Sequence, residues 1–356
     1  MTSAITVVGR RIGRSVHAHV QTWRPYTSCY PALLGLAGAV VAGGSGRTGV
    51  LLIAALAPAL GWLSGHYLGD YFDRGLDAIG KPHRPIPSGR LSIEAALYGG
   101  LACAAGSAAL LVPANWRIVP VFVVAMAGIV GYSKVFKKRG LAGNLARGAV
   151  TALALVIGAM VAAPWPPWAL APVAAGFLLH DTASNLVGTV RDVDGDRAGG
   201  YQSVPVRHGV AYAVRLAFWL YGSGLALILV GTPWAATDPA GRFALVVAAA
   251  VCGVCAFVPS VRSGDVLSAR TALRAHELLV AERLVLASAV IAGAAGTRFA
   301  LALVLPVLLF SLLTQGLMRA RHEFPPVAMR TIARPGTEPD VTRGTERGSS
   351  PPAPEA

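Results

Sequence analysis

The chain has 356 residues, of which 54% are hydrophobic and only 13% are charged, whereas about 25% of residues are charged in an ordinary soluble domain. With a mean hydropathy of +0.57, this composition excludes a disordered chain, a coiled coil and most water-soluble enzymes. Lys and Arg outnumber Asp and Glu by 31 to 17, which gives a net charge of +14. The cations form short clusters between apolar runs, whereas nucleic-acid-binding proteins spread them over a polar surface. We therefore expect a membrane protein without a nucleic-acid partner.

Apolar stretches recur along the chain at the length that a bilayer requires, which is about 20 residues for a helix. We predict an all-α, polytopic membrane helix bundle with nine or ten transmembrane helices. Both counts stay open because the last two stretches could fuse or one of them could be short. The ten candidate stretches are 28–45, 49–69, 93–112, 116–133, 145–163, 168–188, 211–231, 243–261, 278–296 and 299–318.

Basic residues follow the second, fourth and sixth stretches, in segments 81–90, 134–139 and 191–207, and they also occupy the N-terminal segment. Cytoplasmic loops of membrane proteins accumulate Lys and Arg. We therefore expect a multi-pass protein of the plasma membrane with these segments in the cytoplasm. Most of the positive charge then reflects topology.

Three parts of the chain are predicted from this pattern. Residues 1–26 form a basic cytoplasmic N-terminal segment that lacks the apolar run of a secretory signal. Residues 27–320 form the transmembrane domain, and 321–356 form a disordered tail rich in Pro, Gly and charge.

Two acidic pairs carry the strongest chemical signal. Asp73 and Asp77 end the second stretch, and Asp192 and Asp196 follow the sixth. At spacing i and i+4, both carboxylates of a pair project from one helix face and repel each other. Mg²⁺ offsets such repulsion because it binds one or two carboxylates and completes its shell with water and substrate phosphates. Two facing pairs predict a two-metal site for a diphosphate.

Cations stand beside both pairs on the same predicted side. Lys81 and Arg84 follow the first pair, and Lys137 lies five residues after Tyr132 at the end of the fourth stretch. Lys and Arg bind phosphate oxygens directly, Arg in bidentate fashion. These residues are therefore candidates for diphosphate binding, whereas neighbouring loop cations are explained by topology alone.

Taken together, these motifs resemble those of the UbiA superfamily of intramembrane prenyltransferases. The resemblance rests on segments distributed in order from residue 24 to the last stretch. They are Arg24-Pro25, GDYFDRGLDAIGKPHRPIPSGR (69–90), YS (132–133), GNLARG (143–148), RDVDGDRAGG (191–200) and VPVRHG (204–209).

The resemblance implies a bundle around a central cavity that opens to the cytoplasm and laterally to lipid. It implies transfer of a prenyl group from an isoprenyl diphosphate to an aromatic or quinone-precursor acceptor, or another small lipid acceptor, with release of pyrophosphate. Mg²⁺ is the implied cofactor. The protein is expected to lie in the lipid bilayer, and no protein partner can be inferred from the sequence.

Site residues carry over to matching positions of this sequence. The resemblance assigns metal binding to Asp73, Asp77, Asp192 and Asp196. It assigns diphosphate contacts to Lys81, Arg84 and Lys137, a place near the scissile bond to Tyr132, and the polar end of the cavity to Arg24 and Arg147.

Three positions depart from the usual family pattern. Gly69 stands where Asn is usual, so that Asp70 is expected to take over its contact. Thr189 and Asn185 stand where many members have acidic residues, and Asn185 is kept with Asp70 as a candidate for substrate binding. The four carboxylates remain, while the detailed metal geometry and the acceptor are left open.

Asp181 is an acidic residue that the family pattern does not supply. It lies next to His180 inside the sixth stretch, and an ionisable residue at such depth generally faces a cavity or a partner. We predict that Asp181, paired with His180 or with His66, acts as a base or orienting group for the acceptor. A mutually satisfied pair that packs two helices is the alternative.

Two other functions remain alternatives to prenyl transfer. A terpene cyclase of the same superfamily would ionise the same diphosphate without an acceptor, because the fold does not determine the outcome. A transporter would show inverted repeats and broken helices at the membrane midplane. No inverted repeat is recognisable, and the acidic pairs lie at helix ends.

Overall fold

The computed structural model describes residue 13 and residues 15–231 and 237–324, and all regular secondary structure in these ranges is helical. Residues 15–23 form a first helical segment. The ten long helices that follow are α1 (Pro25–Val41), α2 (Thr48–Gly80), α3 (Ile93–Ala114), α4 (Ile118–Gly131), α5 (Leu141–Ala162), α6 (Ala171–Arg191), α7 (Val210–Val230), α8 (Pro239–Ser263), α9 (Ala269–Ala295) and α10 (Thr297–Thr314).

Each of the ten predicted apolar stretches corresponds to one of these helices, which confirms the all-α membrane bundle. Eight of the described helices are long and apolar enough to cross a membrane. Helices α1 and α6 are not among these eight. Helix α1 has only 17 residues, and α6 contains the buried polar side chains of His180 and Asp181. The count of nine or ten spans therefore stays a prediction.

The last two stretches do not fuse, because Gly296 separates α9 from α10. Its φ of 91° lies in a region that glycine adopts without steric cost. Elsewhere, side chains define the helix starts. Ser92 and Ser268 each accept a hydrogen bond of 3.1 Å from a backbone amide in the first turn of α3 and α9, as N-cap residues do.

Close helix packing in the centre of the bundle depends on glycine. A Cβ added to Gly35 would collide with the backbone of Ala54 on α2, and one added to Gly158 on α5 would collide with Gly35 itself. Small residues permit such approach in membrane bundles. Helices α1, α5, α6 and α9 share one large cluster of buried apolar residues, which holds their polar ends in fixed relative positions.

The ends of three helices carry the predicted chemistry. Helix α2 continues for 33 residues and so includes all of the first acidic motif. Helix α4 passes into a π-helical turn, Tyr132–Phe136. Helix α6 ends at Arg191, and a short helix, Val193–Ala198, follows.

The helical domain is slightly larger than the predicted 27–320. Helix α1 begins at Pro25, and α10 continues through a π-helical turn, Gln315–Arg319, into a final helical turn, Ala320–Glu323. Residues 321–323, which the sequence analysis assigned to the tail, are helical. The predicted tail beyond Phe324 and residues 1–12 of the N-terminal segment lie outside the described residues.

Candidate active site

A cavity of about 390 Å³ lies at the end of the bundle where the acidic motifs meet. Helices α1, α2, α5, α6 and α9 contribute to its wall, as do the turn after α4 and the last turn of the described chain. The structure brings all the candidate site residues of the sequence to this one cavity. They are Arg24, Asp70, Asp73, Asp77, Lys81, Arg84, Tyr132, Lys137, Arg147, Asp181, Asn185, Asp192 and Asp196.

The first acidic motif lies on one continuous helix face, with its three carboxylates buried. Each of them contacts a different cation. Asp70 pairs with Arg24, Asp73 with Lys137 at 2.7 Å, and Asp77 accepts two hydrogen bonds from Arg84 at 2.9 and 3.0 Å. Paired cations offset the repulsion between carboxylates that are three and four residues apart.

The second acidic motif spans a break in the helix. Asp192 caps the C-terminus of α6 and contacts Lys81 at 2.9 Å and Arg191 at 2.7 Å. Burial raises the pKa of Asp192, but Arg191 and Lys81 outweigh burial and hold that pKa well below its ordinary value. Asp196, in the next short helix, is buried and has no ion pair among the described residues. Burial raises the pKa of Asp196 to about 6.

The cavity offers oxygen donors that fit a hard cation. Within the described ranges no three His, Cys, Asp or Glu side chains already converge as a metal-binding group, and Asp73, Asp77 and Asp192 contact Lys or Arg side chains. Two buried carboxylate oxygens, Asp70 Oδ2 and Asp73 Oδ1, nevertheless have no hydrogen-bond partner. An all-oxygen donor set of this kind is the one that Mg²⁺ prefers, so that the residues fit the cofactor.

The turn after α4 carries two candidate residues. The π-helical turn places Tyr132 and Lys137 on the cavity wall. Burial lowers the pKa of Lys137, but the adjacent Asp73 outweighs burial and leaves that pKa above its ordinary value, so that Lys137 is a fixed positive charge. Asn185 lies opposite, where its Oδ1 accepts a hydrogen bond of 2.8 Å from the Asn144 amide.

The inner end of the cavity is polar and lies between the helices. Arg147 covers the ring of Trp62, with Cζ 3.8 Å from the ring centroid. Arg283 similarly covers Tyr30 at 4.3 Å. The guanidinium groups of Arg147 and Arg283 are thus held by cation–π contacts at this end of the cavity.

Of the two predicted partners of Asp181, His180 approaches it to 4.0 Å, whereas His66 has other partners. Asp181 accepts hydrogen bonds from Thr151 and, at 3.5 Å, from Arg283. The shorter contact of the His180 ring is to Glu282, at 2.6 Å from Nε2, while Nδ1 lies 4.0 Å from Asp181. His66 instead contacts Arg24 and Thr27.

Three further cavity residues were not found from the sequence. Arg191 was explained by membrane topology alone, although it precedes the second acidic motif directly. Glu323 fell in the segment predicted as a tail, and Arg283 lies within an apolar stretch. A charged residue inside an apolar stretch is itself a functional signal, and this rule could have identified Arg283.

Comparison with known proteins agrees with the fold and the motifs. The sequence model of the UbiA prenyltransferase family matches residues 28–278. The chain is 32% identical over 196 residues to the digeranylgeranylglyceryl phosphate synthase of Natronomonas pharaonis, covering 54% of this chain and 69% of that protein. It is 35% identical over 210 residues to the protein of the same name from Ignicoccus hospitalis, covering 56% and 69%.

Solved structures share the fold at lower identity. A UbiA homolog from Archaeoglobus fulgidus bound to DMAPP and Mg²⁺ aligns with a TM-score of 0.56 and 16% identity, over 75% of this chain and 98% of that one. The apo structure of a UbiA homolog from Aeropyrum pernix K1 aligns with a TM-score of 0.59 and 18% identity, over 74% and 96%. This chain is a membrane protein that belongs to the UbiA prenyltransferase family.

Proposed function

We propose that the protein is a Mg²⁺-dependent prenyltransferase that ionises an isoprenyl diphosphate and transfers the prenyl group to a hydroxyl-bearing acceptor. The observation that carries this proposal is the convergence of both acidic motifs and three predicted diphosphate-binding cations on one cavity. The A. fulgidus neighbour, which is bound to DMAPP and Mg²⁺, supports the same donor class and cofactor.

The donor diphosphate is proposed to bind between the two acidic motifs. Asp73, Asp77, Asp192 and Asp196 hold Mg²⁺, which when bound neutralises charge on the leaving diphosphate. Lys81, Arg84 and Lys137 exchange their present carboxylate partners for diphosphate oxygens. Fixed cations of this kind stabilise charge as it develops in the transition state, and such preorganised electrostatics commonly dominate catalysis.

An apolar path for the prenyl tail begins beside the cavity. A small second pocket shares Ile129 and Val150 with the cavity wall and is otherwise lined mainly by apolar side chains such as Phe122 and Met126. Apolar walls exclude water and so protect the allylic cation until the acceptor reacts. This arrangement favours carbon–oxygen bond formation with a bound acceptor over hydrolysis.

The acceptor is proposed to bind at the inner end, where Asp181 lines the cavity. The acceptor oxygen forms a bond to C1 of the prenyl group as the bond from C1 to the diphosphate oxygen breaks. Asp181 orients the hydroxyl and accepts its proton. Thr151 and Arg283 hold the Asp181 carboxylate in place.

A glyceryl phosphate-type lipid is the acceptor class that we favour. The relatives that share 32–35% identity are named digeranylgeranylglyceryl phosphate synthase. Arg147 and Arg283 lie at the same end of the cavity as Asp181, and such guanidinium groups can bind the phosphate of this acceptor class. Prenyl transfer to an aromatic or quinone-precursor acceptor is the second candidate. The family motifs support both candidates equally, because they concern only the binding of the isoprenyl diphosphate donor.

The side of the membrane is also a proposal. The cavity wall includes residues from the basic segments after α2, α4 and α6. Because cytoplasmic loops accumulate Lys and Arg, we place the mouth of the cavity at the cytoplasmic face of the plasma membrane.

The decisive experiment measures pyrophosphate release by the purified protein from isoprenyl diphosphates of several lengths. Each is incubated with Mg²⁺ or EDTA, and with a monoprenyl glyceryl phosphate, with 4-hydroxybenzoate, or without an acceptor. Release that requires Mg²⁺ and the glyceryl phosphate supports the proposal. Release with only the aromatic acid supports the second candidate, release of a cyclic hydrocarbon without an acceptor supports a cyclase, and no release contradicts all three.

Asp181→Asn tests the acceptor end separately. We expect unchanged Mg²⁺-dependent binding of inorganic pyrophosphate and loss of prenyl transfer by about 10²–10⁴-fold, the range of a missing general base. Glu282→Gln, which changes the neighbouring network outside the cavity wall, serves as the structural control. Unchanged transfer by Asp181→Asn contradicts the assigned role.

A further inference from the structure

The last described helical turn, Ala320–Glu323, brings a carboxylate into the donor end of the cavity. Glu323 is 242 residues from Lys81 in sequence, yet the Lys81 ammonium lies 2.8 Å from its carboxylate. Arg84 and Arg191 approach the same carboxylate at 3.2 and 3.1 Å. One buried carboxylate therefore receives charge-assisted contacts from three cations.

These three cations are drawn from both acidic motifs. Arg84 also binds Asp77, and Lys81 and Arg191 also contact Asp192. Each of these cations therefore contacts Glu323 and also one of the aspartates that we assign to metal binding. Cations whose donors converge in this way form an oxyanion site, and a carboxylate is a smaller oxyanion than a diphosphate.

We propose that Glu323 occupies the diphosphate site of the ligand-free protein and competes with the donor, and that Arg191 is a fourth diphosphate-binding cation beside Lys81, Arg84 and Lys137. This inference rests on the proposed function, because it assumes that a diphosphate binds at these cations. Donor binding then requires the final turn to withdraw from the cavity.

Further contacts hold the final turn in the cavity. The Arg24 Nε donates to His322 Nε2 at 2.9 Å, and His83 Nε2 lies 3.1 Å from the His322 carbonyl oxygen. The π-helical turn Gln315–Arg319 lies immediately before it. π-helical turns are rare and often lie at functional sites, and withdrawal of the final turn requires rearrangement at this turn and not within α10.

The competition is tested by binding of inorganic pyrophosphate with Mg²⁺ to the full chain in detergent. We expect Glu323→Gln to tighten binding about tenfold, or about 1.4 kcal/mol, because it removes the negative charge that competes for the three cations, and to lower the donor KM by a similar factor. Arg191→Gln is expected to weaken binding about tenfold. Unchanged or weaker binding by Glu323→Gln overturns the competition.

A matched control separates direct competition from a general change in charge. Glu277 interacts electrostatically with Arg191 and Glu323, but among the described residues no hydrogen bond or ion pair joins it to either. Glu277→Gln removes the same charge and is expected to change pyrophosphate affinity by less than about twofold. An effect as large as that of Glu323→Gln overturns the proposal.

A second measurement uses the unmodified protein and does not depend on the folding of a variant. Hydrogen–deuterium exchange of the peptide that contains residues 320–323 is expected to increase when pyrophosphate and Mg²⁺ saturate the site. Unchanged or reduced exchange in bound protein overturns the withdrawal. Both measurements report binding alone, so a protein that releases no pyrophosphate from isoprenyl diphosphates contradicts the proposed function without deciding the competition.

Discussion

The two acidic motifs have the same sequence spacing but different environments. Asp73 and Asp77 lie on an unbroken helix, are both buried, and each pairs with one cation. Asp192 lies at a helix end with 28% of its side chain exposed and two cations in contact. Asp196 is buried across the break and is the acidic pair member without an ion pair among the described residues.

This difference shows that equal spacing does not imply equal electrostatics. The carboxylates of the first motif already form ion pairs. When donor and metal bind, these carboxylates exchange their cations for metal ions, and the cations exchange the carboxylates for diphosphate oxygens. In the second motif one carboxylate is firmly ionised and the other has a pKa raised to about 6. We therefore expect the two motifs to respond differently to substitution and to pH.

The largest expected effect is loss of the first motif. Asp73→Asn removes a buried carboxylate that has a free oxygen and leaves Lys137 without its 2.7 Å partner. We expect prenyl transfer to fall about 10³-fold, at the upper end of the effect of losing one electrostatic group in an active site. The measurement is kcat with saturating Mg²⁺, with Glu94→Gln, an exposed acid outside the cavity, as the control. A loss under tenfold would contradict the assigned metal role.

The next effect is removal of a shared cation. Lys81→Gln takes one contact from Asp192 and one from Glu323. Because Lys81 is assigned to the diphosphate, we expect the donor KM to rise about 10–100-fold, corresponding to a charge-assisted hydrogen bond of about 1.5–3 kcal/mol. Steady-state kinetics with varied donor check this value. An unchanged KM would show that Lys81 contributes only to topology.

A pH dependence of metal binding distinguishes the two motifs further. Protons and metal ions compete for the same carboxylate, and Asp196 keeps its proton below about pH 6. We expect the apparent Mg²⁺ affinity to increase as pH rises from 5 to 7. In the Asp196→Asn variant this increase in affinity is expected to disappear. Titration of Mg²⁺ at each pH provides the measurement, and a step that persists in the variant assigns it to another group.

The smallest effect concerns the position where this chain departs from its family. A Cβ added to Gly69 would approach only Ser133 Oγ, at 3.9 Å, so the backbone at this position accepts a side chain. Replacing glycine inside a helix contributes a few tenths of a kcal/mol to stability. We expect a small rise in melting temperature and a change in kcat of less than about threefold. A large gain would show that Asp70 does not replace the usual asparagine.

Much of the site was predictable because the signals were local. The apolar stretches, the i and i+4 carboxylates and the Lys81–Arg84 segment are patterns within a few residues, and the structure places all the predicted site residues around one cavity. The partners of Asp181 were not predictable, because Thr151 and Arg283 are distant in sequence and their contact depends on how α5 and α9 pack against α6.

The sequence by itself determined the membrane bundle, the family and the chemical character of the site, because hydropathy and motif spacing are properties of short segments. Only the tertiary structure decided which cation each carboxylate contacts, and that Glu323 lies 3.1 Å from Arg191 at the cavity. The physical reason is that an ion pair depends on distances between helix ends. Those distances are set by packing across the whole bundle, for which no segment of the sequence carries a local signal.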